Sequence, residues 1–369
     1  MRITHTEIYR LNIPMEPFTI ATGTMNYAQN VFIRIHTDEG IYGAGECSAF
    51  PVIVGETQDT CITLAKDFAR LWKNKPVAPI ASRLQELHHY CARNYTIKSA
   101  FDMALHDLSA KAAGLPLYAY LGNSGKVKRD IHTDITVGIA DKETMAAKAA
   151  SYVVQGAQHL KIKLGKRPSD DIQRIATIRQ AVGPAVSIRI DANQGWDFDA
   201  AVKALTGLAQ YDIAFCEQPM GSWDDDLLPA LRSKTSIPIM ADESCYTAHD
   251  ARRLIRTGSC DYINIKLAKC GGLSEALNIL KVCADAGMAC MIGGMLESRF
   301  ALTANLHLAY ASPNIRFFDL DSPLLGLLED PVVGGAQYHQ GYGLVTDDAT
   351  GIGADMDNAY LKNCEKHVV

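Results

Sequence analysis

The sequence predicts an α/β architecture: a modified (β/α)8-type (TIM-like) barrel with an α+β capping domain formed by the N-terminal region and the C-terminal tail. Three observations lead there. From about residue 130 onward, short runs rich in β-branched residues alternate with amphipathic stretches of helical period. Eight such runs occur, the number that closes a parallel barrel. No GxGxxG follows the first of them, so the doubly wound sheet lacks its main signature.

The elements follow in order. "TEIYRLNI", "NVFIRIHTDEG" and "GAGEC" read as an antiparallel meander, and "KSAFDMALHDLSAKAAG" is among the helices after it. Residues 1–125 are therefore assigned to the capping domain. The barrel is assigned to residues 126–322, with strands "HTDITVG", "HLKIKL", "VSIRID", "IAFCE", "IPIMAD", "YINIK", "ACMIGG" and "IRFFDL". Helical segments between them include "SDDIQRIATIRQAVG", "DAAVKALTGLAQY", "AHDARRLIRTG" and "SEALNILKVCADAG". Several open on Ser or Asp and close near Gly, as helix caps do. The Gly-rich, strand-like tail, "GGAQYHQGYGLVT" within residues 323–369, is expected to return to the capping domain.

Composition bounds the function. With 369 residues, 48% hydrophobic, 21% charged and a net charge of −5, the chain reads as soluble globular material large enough for two domains. A mild negative charge gives no sign of a nucleic-acid groove or an anionic membrane surface as partner. The opening "MRITHTEIYRLNIPMEPF" has no apolar core of the kind a signal peptide needs, and no apolar run reaches the roughly 18 residues of a spanning helix. Ten cysteines without a CxxC pair read as reduced structural thiols, and the expected location is the cytoplasm. Barrels of this kind tend to self-associate, so a homo-oligomer is expected.

Charge placement carries the chemistry. The third strand ends in Asp191, the fourth in Glu217, the fifth in Asp242 and the sixth in Lys266. Each follows the last by one βα unit, so all four fall on the C-terminal rim where barrels hold their active sites. Three carboxylates crowded there repel one another unless a cation holds them. An all-oxygen set points to a hard ion, Mg²⁺. On the second strand, Lys161 and Lys163 share a face and point into the barrel mouth. Mutual repulsion is expected to lower the pKa of one of the two toward the range of a base that takes protons from carbon. Lys266, four strands away in a ring of eight, faces Lys163 across the mouth. A substrate carboxylate at the metal then sets its α-carbon between two opposed amines, with the ion stabilising the enediolate between proton transfers. A lysine base beside Mg²⁺ is an established way of generating and holding an enediolate. That geometry predicts a 1,1-proton transfer, a racemisation or epimerisation.

"KIKLG", "DANQGW", "CEQP", "ADES" and "NIKLAKCGG" resemble the muconate-lactonizing-enzyme subgroup of the enolase superfamily. "YGAGEC" and "KSAFDMALHDLSAKAAGLPLYAYLG" are similar to its capping domain and first linker, so the resemblance spans nearly the whole chain. It implies that Asp191, Glu217 and Asp242 ligate Mg²⁺, that Lys163 and Lys266 are the acid/base pair, and that Lys161 tunes Lys163. "FFDLDSP" puts Asp319 and Asp321 on one face of the last strand, similar to the Asp-x-Asp with which dipeptide epimerases hold a substrate ammonium. The expected substrate is accordingly a dipeptide, inverted at its C-terminal α-carbon. A cycloisomerase or an o-succinylbenzoate synthase-type lyase is the alternative within the subgroup, though such substrates carry no ammonium. Ala-Glu epimerases often carry a basic residue in the first lid loop, but "FTIATGTMNYAQNVFI" has no charge and "SAFPVIVGET" is largely apolar. Thr24, Met25, Tyr27, Phe50, Val52 and Ile53 are therefore expected to line a neutral pocket for an uncharged, hydrophobic C-terminal residue, as in L-Ala-L-Xaa; the alternative is that they pack the two domains together. "GGMLESR" is expected to bring Met295, Glu297 and Ser298 near the substrate, with Lys266 or Lys269 as a pairing partner for Glu297.

Overall fold

Three antiparallel strands begin the chain: β1 (Ile3–Ile20), β2 (Gly23–Thr37) and β3 (Tyr42–Ser48). The computed structural model describes residues 1–122, 131–339 and 342–369, so the expected domain boundary at 125/126 lies outside the described residues. β1 and β2 pair along nearly their whole length, with a register break between Pro14 and Phe18 that bends the hairpin tip. β3 packs directly on the helix Tyr95–Ala112, whose residues are buried almost all round. The glycines of "YGAGEC" make that approach possible. A Cβ on Gly43 would stand 2.0 Å from the carbonyl oxygen of Ala104, and one on Gly45 1.9 Å from that of Ala100. Behind the sheet, Phe68 and Trp72 meet Phe101 edge-on at 5.4 and 5.2 Å, giving the cap its own core.

A two-residue strand, β4 (Ile131–His132), precedes the barrel. The wall is then β5 (Ile135–Val137), β6 (His159–Lys163), β7 (Ser187–Asp191), β8 (Ile213–Glu217), β9 (Ile239–Ala241), β10 (Tyr262–Ile265), β11 (Cys290–Gly293) and β12 (Ile315–Asp319). They lie side by side in chain order, each parallel to the next. The ends of the sheet nearly meet, since Asp134 N donates to Phe318 O at 3.1 Å and Leu320 N to Thr133 Oγ1 at 2.7 Å. All eight expected strands are present; Asp242 and Lys266 fall one residue beyond β9 and β10. The expected helices occupy Pro168–Val182, Phe198–Leu208, Ala248–Thr257 and Leu273–Asp285. Asp197 caps the second of these, and Thr247 with Asp250 forms a capping box on the third. Helices Lys142–Val154, Leu228–Arg232 and Arg299–Ala311 complete the ring.

The tail does more than return to the cap. β13 (Val332–Gly334) pairs with β16 (Ala354–Met356), while β14 (Gln337–Tyr338) and β15 (Gly343–Val345) form a small sheet with β4. Among the described residues of the tail, only β17 (Lys366–Val368) joins the capping sheet, against β1. Among the described residues, no helix is long and apolar enough to cross a membrane.

Candidate active site

Strand alternation stacks the barrel interior in layers. The lowest is apolar: Phe215 and Tyr262 meet Phe317 at 5.1 and 4.9 Å, packed with Met240 and Met291. Above it, the Arg189 guanidinium lies 5.5 Å from the rings of both Phe215 and Phe317. It donates to Asp134 Oδ2 at 2.7 Å and to Phe318 O at 3.0 Å. The uppermost layer carries the expected lysines and acids.

There every lysine faces a carboxylate. Lys161 Nζ stands 2.7 Å from Glu217 Oε2, 2.8 Å from Asp319 Oδ2 and 3.2 Å from Asp191 Oδ2. Lys163 Nζ donates to Asp191 Oδ2 at 2.6 Å, and Lys266 Nζ to Asp242 Oδ2 at 2.8 Å. All these groups are buried. Burial works against the Lys161 ammonium, but Asp319, Glu217 and Asp191 together hold its pKa well above the usual lysine value. Repulsion between Lys161 and Lys163, expected from their spacing, is thus outweighed at Lys161 by three acids from other strands. Burial likewise opposes a charge on Lys266, and Asp242 reverses the balance and raises it. Asp191 and Asp242 resist burial through their lysines and stay below the carboxylate range, whereas burial and Asp191 push Glu217 up to about 7.

Residues not singled out in the sequence aim these groups. Asn264 Nδ2 donates to Glu217 Oε1 at 2.7 Å. Gln218 Oε1 accepts from Asp242 N at 2.9 Å and Ser244 N at 3.2 Å, fixing the turn beyond β9. Asn193, Gln194 and Gln218 all take positive φ, a costly backbone state that concentrates at sites. Lys269 does not pair with Glu297 as expected; its ammonium lies 2.8 Å from Asp242 Oδ1 and also contacts the Asp242 carbonyl. Period-two spacing offered the signal for Asn264 and Arg189, which stand two residues before Lys266 and Asp191 on the same inward faces.

The acids suit a hard cation. Glu217 Oε2 and Asp242 Oδ1 are buried without a hydrogen-bond partner, their lysine contacts being close but off the bonding axis, and Glu243 Oε2 is equally unpartnered. Asp191, Glu217 and Asp242 lie on successive strands, yet they are not among the groups of three whose ligand atoms come within 4.8 Å, because each is turned onto a lysine. Among the described residues such groups are Asp134–Asp319–Asp321 inside the barrel and His5–Glu7–His36 on the cap.

A small cleft opens on this layer. Lys161, Lys163, Lys266, Asp319 and Asp321 line its polar side, with Thr136, whose backbone N–H donates to Asp321 Oδ2 at 2.7 Å. Its apolar side is Phe18, Ile20, Phe50, Ile53, Met295 and Leu296. Several expected lining residues are elsewhere. Met25 packs behind this wall in the same apolar cluster. Thr24 is exposed at the hairpin tip, where its hydroxyl meets that of Thr19 at 2.8 Å, and Tyr27 is 57% exposed beyond the register break. Val52 lines an outer groove that shares Ile53 with the cleft. Ser298 is a helix cap, accepting from Phe300 N and donating to Glu46 Oε2. Glu297 turns back to accept from Met295 N at 2.5 Å, and burial lifts its carboxyl to about 7. Their position at the start of Arg299–Ala311 claims both side chains for the backbone.

Comparison with known proteins covers the whole chain. Residues 3–122 match the mandelate racemase / muconate lactonizing enzyme N-terminal domain, and residues 144–360 the enolase C-terminal domain-like family. The D-Ala-D/L-Ala epimerase of Cytophaga hutchinsonii is 41% identical over 99% of both chains. The hydrophobic dipeptide epimerase of Enterococcus faecalis is 40% identical over 92% of this chain and 95% of its own. A crystal structure of the Cytophaga hutchinsonii dipeptide epimerase, complexed with Mg and the dipeptide D-Ala-L-Val, superposes with a TM-score of 0.98 at 41% identity and covers 100% of both chains. The Enterococcus faecalis dipeptide epimerase, complexed with Mg and L-Leu-L-Tyr, gives a TM-score of 0.92 at 39% identity over 96% of this chain and 100% of that one.

Proposed function

The chain belongs to the mandelate racemase / muconate lactonizing enzyme family, and from that premise we propose that it is a Mg²⁺-dependent dipeptide epimerase that inverts the C-terminal α-carbon of dipeptides with an uncharged, hydrophobic C-terminal residue. The observation that carries this reading is the pairing of Lys163 and Lys266 in one cleft, on strands four steps apart in a ring of eight. Amines so opposed address the two faces of one carbon. Lys163 takes the α-proton from one face while Lys266 delivers a proton to the other, and the roles exchange in the reverse direction. Asp191, Glu217 and Asp242 would hold Mg²⁺, and when bound it would supply the positive charge that makes the proton beside a substrate carboxylate removable. Asp319 and Asp321 receive the α-ammonium of the first residue. The apolar side of the cleft, with no charged side chain among Phe18, Ile20, Phe50, Ile53, Met295 and Leu296, suits a neutral side chain on the second. Relatives of similar identity are named both for Ala-Ala or hydrophobic dipeptides and for L-Ala-D/L-Glu, so the specificity rests on the apolar wall. A lyase of the same architecture would have no use for the paired aspartates.

The test is a dipeptide panel in deuterated water with Mg²⁺, read by mass spectrometry. It includes Ala-Leu, Ala-Phe and Ala-Glu, each with L- and D-alanine. Deuterium is expected at the C-terminal α-carbon, fastest with Leu or Phe. A panel in which no dipeptide gains deuterium would refute the reading, and preference for Ala-Glu would refute its specificity.

A further inference from the structure

The proposed recognition of an α-ammonium by Asp319 and Asp321, on which this inference rests, leaves one donor unassigned. A primary ammonium has three N–H bonds, and two aspartates account for two. We propose that Asp134 is the third acceptor, so that the ammonium subsite is a tripod of Asp134, Asp319 and Asp321.

Geometry supports the tripod. One oxygen from each of the three carboxylates lies within 4.8 Å of the other two. Acceptors about 2.8 Å from a tetrahedral nitrogen stand about 4.6 Å apart. Oxygens gathered within that distance accommodate an ammonium, whose three N–H bonds match three acceptors.

Hydrogen bonding singles out the vacant acceptor. Asp319 Oδ2 faces Lys161, and Asp321 Oδ2 accepts from Thr136 N. Asp134 Oδ2 is tied to Arg189, itself seated on two aromatic rings. Asp134 Oδ1 is left buried with no hydrogen-bond partner, on a residue of 0% exposure. An unpaired carboxylate oxygen in that setting is costly, and a charged donor arriving from the cleft removes the cost. Asp134 stands two residues before Thr136 along the chain, one step deeper than the cleft lining. Burial and Asp319 raise the pKa of both Asp134 and Asp321.

The experiment compares Ala-Leu with propanoyl-leucine, the same skeleton lacking the ammonium, in wild type and Asp134→Asn. Losing one hydrogen bond to a charged group is expected to raise KM for Ala-Leu roughly ten- to hundred-fold with kcat little changed. α-Deuterium exchange into propanoyl-leucine should be unaffected by the substitution. A second comparison needs no variant. N-methyl-Ala-Leu keeps the charge but has one N–H fewer, and its kcat/KM with wild type should fall at least tenfold. KM for Ala-Leu within twofold of wild type, equal losses on both substrates, or full turnover of N-methyl-Ala-Leu would overturn the proposal. If wild type handles Ala-Leu and propanoyl-leucine alike and Asp319→Asn is silent as well, the ammonium reading beneath it falls too.

Discussion

Glu46 should be worth several kcal/mol although it touches nothing in the cleft. It lies within the glycine-rich β3 and is almost fully buried, accepting from Asn30 Nδ2 at 2.8 Å, Ser298 N at 3.0 Å, Ser298 Oγ at 2.7 Å and Ala301 N at 3.1 Å. The cap thereby satisfies first-turn N–H groups of the barrel helix Arg299–Ala311. Asn30, held by Glu46, also donates to Leu296 O at 3.1 Å and so positions a residue of the apolar wall. Glu46→Ala strands two buried backbone donors at about 1–3 kcal/mol each, so the loss should be about 4 kcal/mol before any cavity is counted. With an unfolding entropy of about 2.1 cal/mol/K per residue, that corresponds to about 5 °C in Tm for a chain of this size. Glu46→Gln keeps one acceptor oxygen and should lose roughly half as much. Urea denaturation with thermal melts measures both, and KM should rise in the folded fraction as Leu296 shifts. A Glu46→Ala protein within 1 kcal/mol of wild type, or a Gln variant as damaged as Ala, would show that the cap–barrel joint does not depend on this carboxylate.

Three further outcomes are expected. Lys163→Ala and Lys266→Ala should each abolish epimerisation of the dipeptide, while each can still exchange the α-proton of one enantiomer; near-normal inversion by either would defeat the opposed-amine arrangement. Because burial holds Glu297 near 7 against 4.5 when unfolded, the native state retains a proton that the unfolded chain releases, and stability should fall by about 3 kcal/mol as pH rises from 4.5 through 7. Glu297→Gln should lack that slope, and parallel wild-type and variant curves from urea titrations across pH would count against it. Ile53→Arg, placing a cation on the apolar wall, should shift kcat/KM from Ala-Leu toward Ala-Glu by at least tenfold; an unchanged ratio would mean that this wall does not read the C-terminal side chain.

Much of the fold was legible because the barrel writes itself twice into the sequence, as β-branched runs and as the helical period between them. Strands as short as Ile239–Ala241 were still found, since buried parallel strands need continuous apolar residues on both faces. The helix Arg299–Ala311 was harder to read. It is buried almost all round, so no polar face marks its period. The tail was only partly legible for a different reason: strands of two or three residues are chosen by their pairing partners, β4 and β1 among them, rather than by their own composition.

Within the site, placement was legible and environment was not. Two residues per strand repeat decided that Lys161 and Lys163 face inward, and the spacing of one βα unit decided that the acids share a rim. Both are local properties of the chain. Whether Lys161 is charged depends on Asp319, 158 residues away in sequence, and on Glu217 and Asp191 from two other strands. For Lys161 the sequence exposed only nearest-neighbour repulsion, and three long-range attractions outweigh it. The same limit explains Asp134, whose partner Arg189 is unremarkable until the barrel brings β7 beside the start of β5 and the end of β12. It also bears on how the lysines work. Lys163 donates to Asp191 and Lys266 to Asp242, so each amine is tethered by a carboxylate of the proposed metal-ligand set. In the proposed reaction either amine turns toward a substrate carbon as that tether loosens, which would tie proton transfer to how Asp191 and Asp242 are engaged.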